Sequence, residues 1–392
     1  MYDKIERFRS WFEVERPKTQ YGLVLSGGGA RASYQAGVLS FVAEAFGDIP
    51  SPVITGVSAG SLNAAHIANH TGGFRVGVHE LENLWGSLKS TDVYEVSSSF
   101  QVFWDMFGSR LGGGSEEFLP RAGLVDTAPL AAYLKKSLGV PEGQLSGIRT
   151  NITAGLIKGC AIIGTHYGTG QTVAWVEGQS LSGWDRAARV SHEVPLTVDH
   201  VMASTSLPFL FPAIEVDGGF YGDGGIRLAD PLSPAVHMGA NKILAISTRY
   251  RRSRKEADTP VAEGYPPAAQ IFSLLLNAIF LDRLDQDAMM MDRINRLINK
   301  IPVSQREELR PIDILVIRPS RDLGMLSGEY QAELEGILSL ISKGLGSSDT
   351  KSPDWLSMIL FEPAYAERLM EIGYQDAVNE RERLKRFLNP SN

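Results

Sequence analysis

The chain has 392 residues, 43% of them hydrophobic and 21% charged, enough to bury a substantial core as one large domain or a domain with an appendage. Asp plus Glu outnumber Lys plus Arg by 45 to 38, a formal charge of −7, which argues against general affinity for nucleic acid phosphates. The single cysteine, Cys160, excludes an intrachain disulfide and fits a reducing compartment, so the expected location is the cytoplasm.

Residues 1–17 mix acidic and basic side chains and lack the apolar centre of a secretory signal. The longest apolar candidate, residues 271–281, contains Asn277 and is about half of the ~20 residues a bilayer crossing needs. Any membrane contact is therefore expected to be peripheral.

Residues 22–26 read as a buried strand that opens into Gly27, Gly28 and Gly29, then Ala30 and Arg31. After it, Tyr34, Val38, Leu39, Phe41 and Val42 recur at helical spacing. A second apolar run, 53–55, meets Gly56-Val57-Ser58-Ala59-Gly60, and a helix-prone segment follows to residue 70. Repetition of strand, glycine turn and helix predicts an α/β fold with a parallel sheet.

Helices are expected at 81–88 and 129–138, and an irregular stretch at 97–121, where Phe100, Val102, Phe103, Trp104, Met106 and Phe107 run into a triple glycine. Residues 151–157, 161–167 and 171–177 alternate or run apolar between glycines, with 168–170 as a hairpin signal between the last two. A helix at 198–206 precedes Pro208, and 213–216 leads into the glycine-dense Asp217-Gly218-Gly219-Phe220-Tyr221-Gly222-Asp223-Gly224-Gly225. Beyond lie Asp230-Pro231, a helix at 234–238, strands at 242–247 and 312–317, one long amphipathic helix or a pair over 268–300, and helical segments at 329–342 and 354–388. Residues 249–267 and 344–352 read as linkers, and no internal repeat stands out.

Ser58 occupies the turn of a strand-turn-helix unit, the context of a nucleophile elbow. Gly56 and Gly60 suit a turn so tight that a Cβ would be resisted, and the helix N-terminus favours developing negative charge. The first glycine loop offers amides for an oxyanion. Gly27-x-Gly29-x-x-Ala32 also fits a dinucleotide fingerprint, but the second strand ends in Thr55-Gly56 without the acidic residue that would bind ribose. No Lys-Ser or Lys-Thr closes the loop as in a P-loop.

None of the seven histidines lies in a glycine-marked turn after a strand, which leaves a carboxylate as base. Asp223, expected in an exposed turn, is the candidate, with an ordinary Asp-Gly hairpin as the plainer reading. Asp217 is its rival and belongs better to the preceding hairpin. A calcium loop is rejected because Gly219 and Tyr221 stand where oxygen ligands would be needed.

Ser26-Gly27-Gly28-Gly29-Ala30-Arg31, Gly56-Val57-Ser58-Ala59-Gly60 and Asp223-Gly224-Gly225 occur in an order and setting that resemble the patatin-like phospholipase family. The likeness extends through Ala203-Ser204, Phe211-Pro212, Asp230-Pro231 and Glu362-Pro363-Ala364-Tyr365, over most of residues 21–389. It implies a three-layer α/β/α fold with a central mostly parallel sheet, a Ser-Asp dyad without histidine, and hydrolysis of lipid acyl esters with no metal or cofactor. Ser58 would then be the nucleophile and Asp223 the base. Amides of Gly27, Gly28, Gly29 and Ala59 would form the oxyanion hole, with Gly56, Gly60, Gly224, Gly225 and Arg31 in support. Arg31 could steady the loop or pair with a phosphate head group. Where the family usually has glycine after that arginine, this chain has Ala32.

The expected organisation is an N-terminal extension (1–20), a catalytic core (21–248) and a helical and strand C-terminal part (249–392) completing the same fold. The expected substrate is a phospholipid or lysophospholipid; no nucleic acid partner is expected, and the sequence assigns no oligomeric state. Two alternatives stand beside hydrolysis: an effector-gated or slow lipid-binding module, suggested by Ala32 and the long helical end, and an acyltransferase or thioesterase. Residues 100–107 are either a core helix or a lid, and the basic cluster at 249–255 either a solvated loop or a head-group attractor. Ile271, Leu274, Leu275, Ala278 and Leu281 define a helix face expected to be packed, with a cap or dimer surface as the other reading.

Overall fold

Alternate side chains of the central strands go to opposite faces, and both faces are buried, which is why these strands are nearly continuous in apolar residues. In β1 (Tyr21–Leu25) Leu23 and Leu25 join one core while Val24 joins the other, and in β2 (Val53–Val57) Ile54 and Val53 divide the same way. The computed structural model describes residues 19–96, 125–178, 185–258, 268–280, 283–306, 309–333 and 354–388. Residues 1–18, the aromatic stretch at 100–107 and the linker at 344–352 lie outside them.

After β2 come the short β3 (Glu95–Val96) and β4 (Val125–Asp126), which pair only with each other, then β5 (Gly159–His166), β6 (Thr172–Gly178), β7 (Asp185–Arg186) and β8 (Arg189–Glu193). β9 (Ile214–Val216), β10 (Gly219–Asp223), β11 (Lys242–Ile246) and β12 (Asp313–Ile317) complete the set. Among the described residues, ten strands form one sheet in the order β12-β11-β1-β2-β5-β6-β8-β7, with β10 on β5 and β9 on β10. The β12-β11-β1-β2-β5 half is parallel throughout, and antiparallel pairing enters at β5–β6, β5–β10, β9–β10 and β7–β8.

One face carries the helices Ser33–Phe46, Ala59–Asn69 and Pro363–Asn379, with Val38, Leu39, Leu62 and Leu369 inside. The other is covered by Ser233–His237 and Arg283–Ile298 through Ala235, Leu284 and Ala288. The arrangement is therefore a three-layer α/β/α sandwich around a mixed, mostly parallel sheet. No helix among the described residues is long and apolar enough to cross a membrane.

Two local expectations need correction. Residues 151–157 do not run as a strand: Ser146–Thr153 is a helix, because Ile148 and Ile152 recur at i, i+4 and both are buried. Asn151 fixes it there, donating Nδ2 to the Ala68 carbonyl at 2.8 Å. Of the two readings of 268–300, the pair holds, as the helices Ala268–Phe280 and Arg283–Ile298. On the first, the packed side chains are Leu276 and Phe280, while Ile271, Leu274 and Leu275, expected inside, are exposed.

Candidate active site

β5 acts as the ruler that brings the candidate residues together. β2 and β10 occupy the same edge of β5, since β6 fills the other, and they meet there end to end. Val57, the last residue of β2, pairs with Ile163, and Asp223, the last of β10, pairs with the next residue, Gly164. Ser58 follows Val57 directly, so positions 58 and 223 are neighbours by register.

Ser58 has φ 53° and ψ −137°, a conformation a side chain resists, and caps the Ala59–Asn69 helix. A strain of about 1–3 kcal/mol persists only where the surroundings over-determine the turn. They do so here. The Ser58 N–H donates to Ser204 Oγ at 3.0 Å, and Ser204 Oγ donates to the Ile163 carbonyl at 2.6 Å. The Ser58 carbonyl accepts both the Ser61 N–H, at 2.8 Å, and the Ser61 hydroxyl, at 2.6 Å. A Cβ at Gly56 would lie 2.4 Å from the Gly60 carbonyl oxygen, and one at Gly60 2.3 Å from that of Leu25, so both frame positions exclude any side chain.

Asp223 is fully buried, which corrects the expectation of an exposed turn. Its N–H donates to the Ser206 carbonyl, its carbonyl accepts from Thr165 Oγ1, and its Oδ1 accepts the Gly225 N–H at 2.8 Å. Gly224 is seated against β5, where a Cβ would stand 2.2 Å from the Ile163 carbonyl oxygen. Burial raises the Asp223 pKa from 3.8 to about 7, while the Ser58 hydroxyl and the Gly225 N–H pull it back down. Even so, Oδ2 completes no hydrogen bond. The Ser58 hydroxyl is close enough to act on the carboxyl without the geometry of a formed bond, a common state of such pairs before substrate binds. Asp217, the rival, is exposed in the β9–β10 turn with φ 49°, as expected of a hairpin residue.

The first glycine loop lies beside Ser58: a Cβ on Gly27 would be 2.9 Å from that of Ser58. Gly28 (φ 146°) and Gly29 (φ 58°) take conformations that favour glycine. No described residue accepts a hydrogen bond from the N–H groups of Gly27, Gly28, Gly29 or Ala59. The loop is held from behind, where Thr248 Oγ1 donates to the Gly27 carbonyl at 2.5 Å and Gln35 Nε2 to that of Ser26 at 2.8 Å. Gln35 is itself fixed by Asn63, and Asn63 by the Trp85 indole N–H. Arg31 is buried and donates Nε to Ser357 Oγ at 2.6 Å, tying the loop to the Asp354–Ile359 helix.

In the sequence Ser204 is legible only as part of a motif, and no local signal marks Thr248. The signal for Thr248 is topological: Leu25 and Ile246 pair in parallel, so whatever follows β11 emerges beside whatever follows β1.

From Ser58 a narrow cavity of about 40 Å³ runs between Leu62, Trp85, Leu130, Phe211, Phe280 and Phe361. Ser58 and Thr205 are the polar side chains in its lining. Such a wall suits an alkyl chain and gives nothing to a charged ligand.

The chain is similar, at low identity, to several solved structures. VipD from Legionella pneumophila is 12% identical with a TM-score of 0.38, over 93% of this chain and 67% of that one. Human GIVD cytosolic phospholipase A2, in complex with methyl gamma-linolenyl fluorophosphonate, is 11% identical with a TM-score of 0.44, over 95% of this chain. The chain spans 59% of that human protein's length. No curated protein matches the sequence. The family model described as patatin-like phospholipase matches residues 23–236, more than half the chain. That span takes in the first glycine loop, the Ser58 elbow and the Asp223 turn, and a match of this extent makes the chain a member of the patatin-like phospholipase family.

Proposed function

We propose that this protein is a serine acyl hydrolase that cleaves fatty-acyl esters of phospholipids or lysophospholipids through a Ser58–Asp223 dyad. The observation that carries the reading is a fully buried carboxyl with one unpaired oxygen, held by strand register next to a serine on a strained turn. A buried acid with a pKa near 7 takes a proton from a hydroxyl far more readily than an ordinary aspartate would, which suits a base working without histidine.

In the first step the Asp223 carboxylate accepts the Ser58 proton as Oγ attacks the ester carbonyl carbon. The oxyanion is stabilised by the unpaired amides of the Gly27–Gly29 loop and Ala59. Collapse breaks the bond to the leaving alcohol, which takes the proton from Asp223, and leaves an acyl-Ser58 ester with its chain in the apolar cavity. Water then gives a proton to Asp223 and its oxygen to the acyl carbon. The fatty acid departs as Ser58 Oγ recovers the proton.

A fluorophosphonate probe is expected to label the native protein at Ser58 and to leave Ser58→Ala unlabelled. Mass spectrometry of a lipid extract should show free fatty acid and lysolipid with the native protein only. Retention of most esterase activity by Ser58→Ala or Asp223→Asn would refute the assignment.

A further inference from the structure

The elements that wall the cavity carry large apolar side chains on their outer sides. The Ala268–Phe280 helix contacts the interior through Phe280, a cavity residue, through Leu276, and through Ser273, whose hydroxyl accepts the Trp355 N–H at 3.3 Å. Its other side presents Ile271, Leu274 and Leu275 at i, i+3 and i+4, exposed by 45, 62 and 57%. Leu207 and Phe211 also line the cavity, and between them Phe209 is 85% exposed with φ 67°, a backbone conformation unfavourable for an aromatic residue. A strained residue that holds a phenyl ring out into water, beside a site for alkyl chains, is an observation independent of the helix stripe.

Charge is added at the same edge of the sheet. β11 ends level with β1, and Thr248 bonds the glycine loop, so the following segment emerges on the Ser58 side. Its Arg249, Arg251, Arg252, Arg254 and Lys255 outnumber Glu256 and Asp258, giving a net +3 in a chain of net −7. Arg249 and Arg252 reach Asp285 and Asp322 at 3.9 and 3.2 Å, while the exposed Arg254 pairs at 3.9 Å with an equally solvated Asp258.

We infer that this edge is a docking surface for an anionic phospholipid bilayer, with Phe209 and the Ile271-Leu274-Leu275 stripe entering the acyl boundary and the arginines over the head groups. The inference rests on the acyl-hydrolase reading, because it is the lipid-accepting cavity behind these elements that selects a bilayer over a protein partner. An amphipathic face with apolar side chains at its centre and cations beside it binds such an interface by combined burial and electrostatics.

Sedimentation with vesicles of phosphatidylcholine alone, or mixed equally with phosphatidylglycerol, tests it in a Ser58→Ala background that cannot consume the lipid. The parent should pellet with mixed vesicles. Leu274→Asp/Leu275→Asp and, on a separate element, Phe209→Ser should each lower partitioning at least tenfold. Arg251→Glu/Arg254→Glu should lower it on mixed vesicles alone and flatten its salt dependence. With Ser58 intact, the same variants should keep their Tm and their rate on a water-soluble short-chain ester within twofold.

If one variant fails to fold, the other element still decides. A parent that binds neither vesicle, variants that bind like the parent, or a stripe variant that instead abolishes self-association on size exclusion would each overturn the proposal. Loss of the hydrolase reading shows separately, as esterase activity that survives Ser58→Ala.

Discussion

Replacing Asp223 by Asn should abolish turnover and at the same time stabilise the protein at alkaline pH. A carboxyl with a pKa of 3.8 unfolded and about 7 folded binds its proton more tightly in the folded state. Between those values the folded protein holds a proton that the unfolded chain has released, so stability falls as pH rises through that window. At ~1.4 kcal/mol per pH unit the cost of ionising Asp223 reaches about 4 kcal/mol above pH 7 and fades to well under 1 kcal/mol near pH 4. Asparagine escapes it while its Oδ1 still accepts the Gly225 N–H. Thermal unfolding of the two proteins from pH 4 to 9 should show Asp223→Asn melting higher by about 5 °C at pH 8, with the gap closing toward pH 4. The kcat/KM of the native protein on a short-chain ester should rise with pH and level off above about 7, as the base must be ionised in the free enzyme. A pH-independent stability difference, together with a flat rate profile from pH 5 to 9, would refute the claim that burial tunes this group.

Other changes test the support of the site. Ser204→Ala removes the acceptor of the Ser58 N–H, and should lower kcat about 10- to 100-fold with little change in KM and cost about 1–3 kcal/mol in denaturant unfolding. Ser58→Gly should be inactive yet about 1 kcal/mol more stable, because glycine relieves the strained turn. Gly60→Ala puts a methyl group against the Leu25 carbonyl and should cost about 3 kcal/mol or more, seen as loss of soluble protein or a sharply lower Tm. Leu62→Phe narrows the cavity, and in a chain-length series of esters kcat/KM should fall more for decanoyl than for acetyl.

The central architecture is legible in the sequence, and Ser58 and Asp223 stand out there as candidates, because the signals are local. Glycine loops after short apolar runs mark strand ends, and Ser58 and Asp223 sit in motifs only a few residues long. Burial of Asp223 is not legible, because Asp223-Gly224-Gly225 has the composition of an exposed turn and only pairing with Gly164 draws it inside. The helix at Ser146–Thr153 is hidden for a related reason: two isoleucines four apart fit a helix, but the flanking glycines have the look of strand ends, and Asn151 finds its partner on a helix distant in sequence. The stripe on Ala268–Phe280 failed differently. Periodicity identifies an apolar face without saying what it faces, and this helix has one apolar side inward, at Leu276 and Phe280, and another in water.

The site combines two unfavourable elements, a strained serine and a buried acid, and both are held by adjacent residues of one strand. Ile163 anchors Ser58 through Ser204, while Gly164 pairs with Asp223 and Thr165 bonds its carbonyl. A single-residue slip of β10 along β5 would turn the carboxyl to the opposite face of the sheet, so strand register and the position of the buried acid are one property. That requirement explains the close fits around the pair. Gly224 admits no Cβ against Ile163, and Tyr167 lies over Gly222, where a Cβ would come within 2.0 Å of its hydroxyl. Gly224, directly after β10, thus accepts only glycine in this register, whereas Gly222 is covered by a half-exposed tyrosine, and any alternative pairing would lose the complementarity that offsets the burial of Asp223.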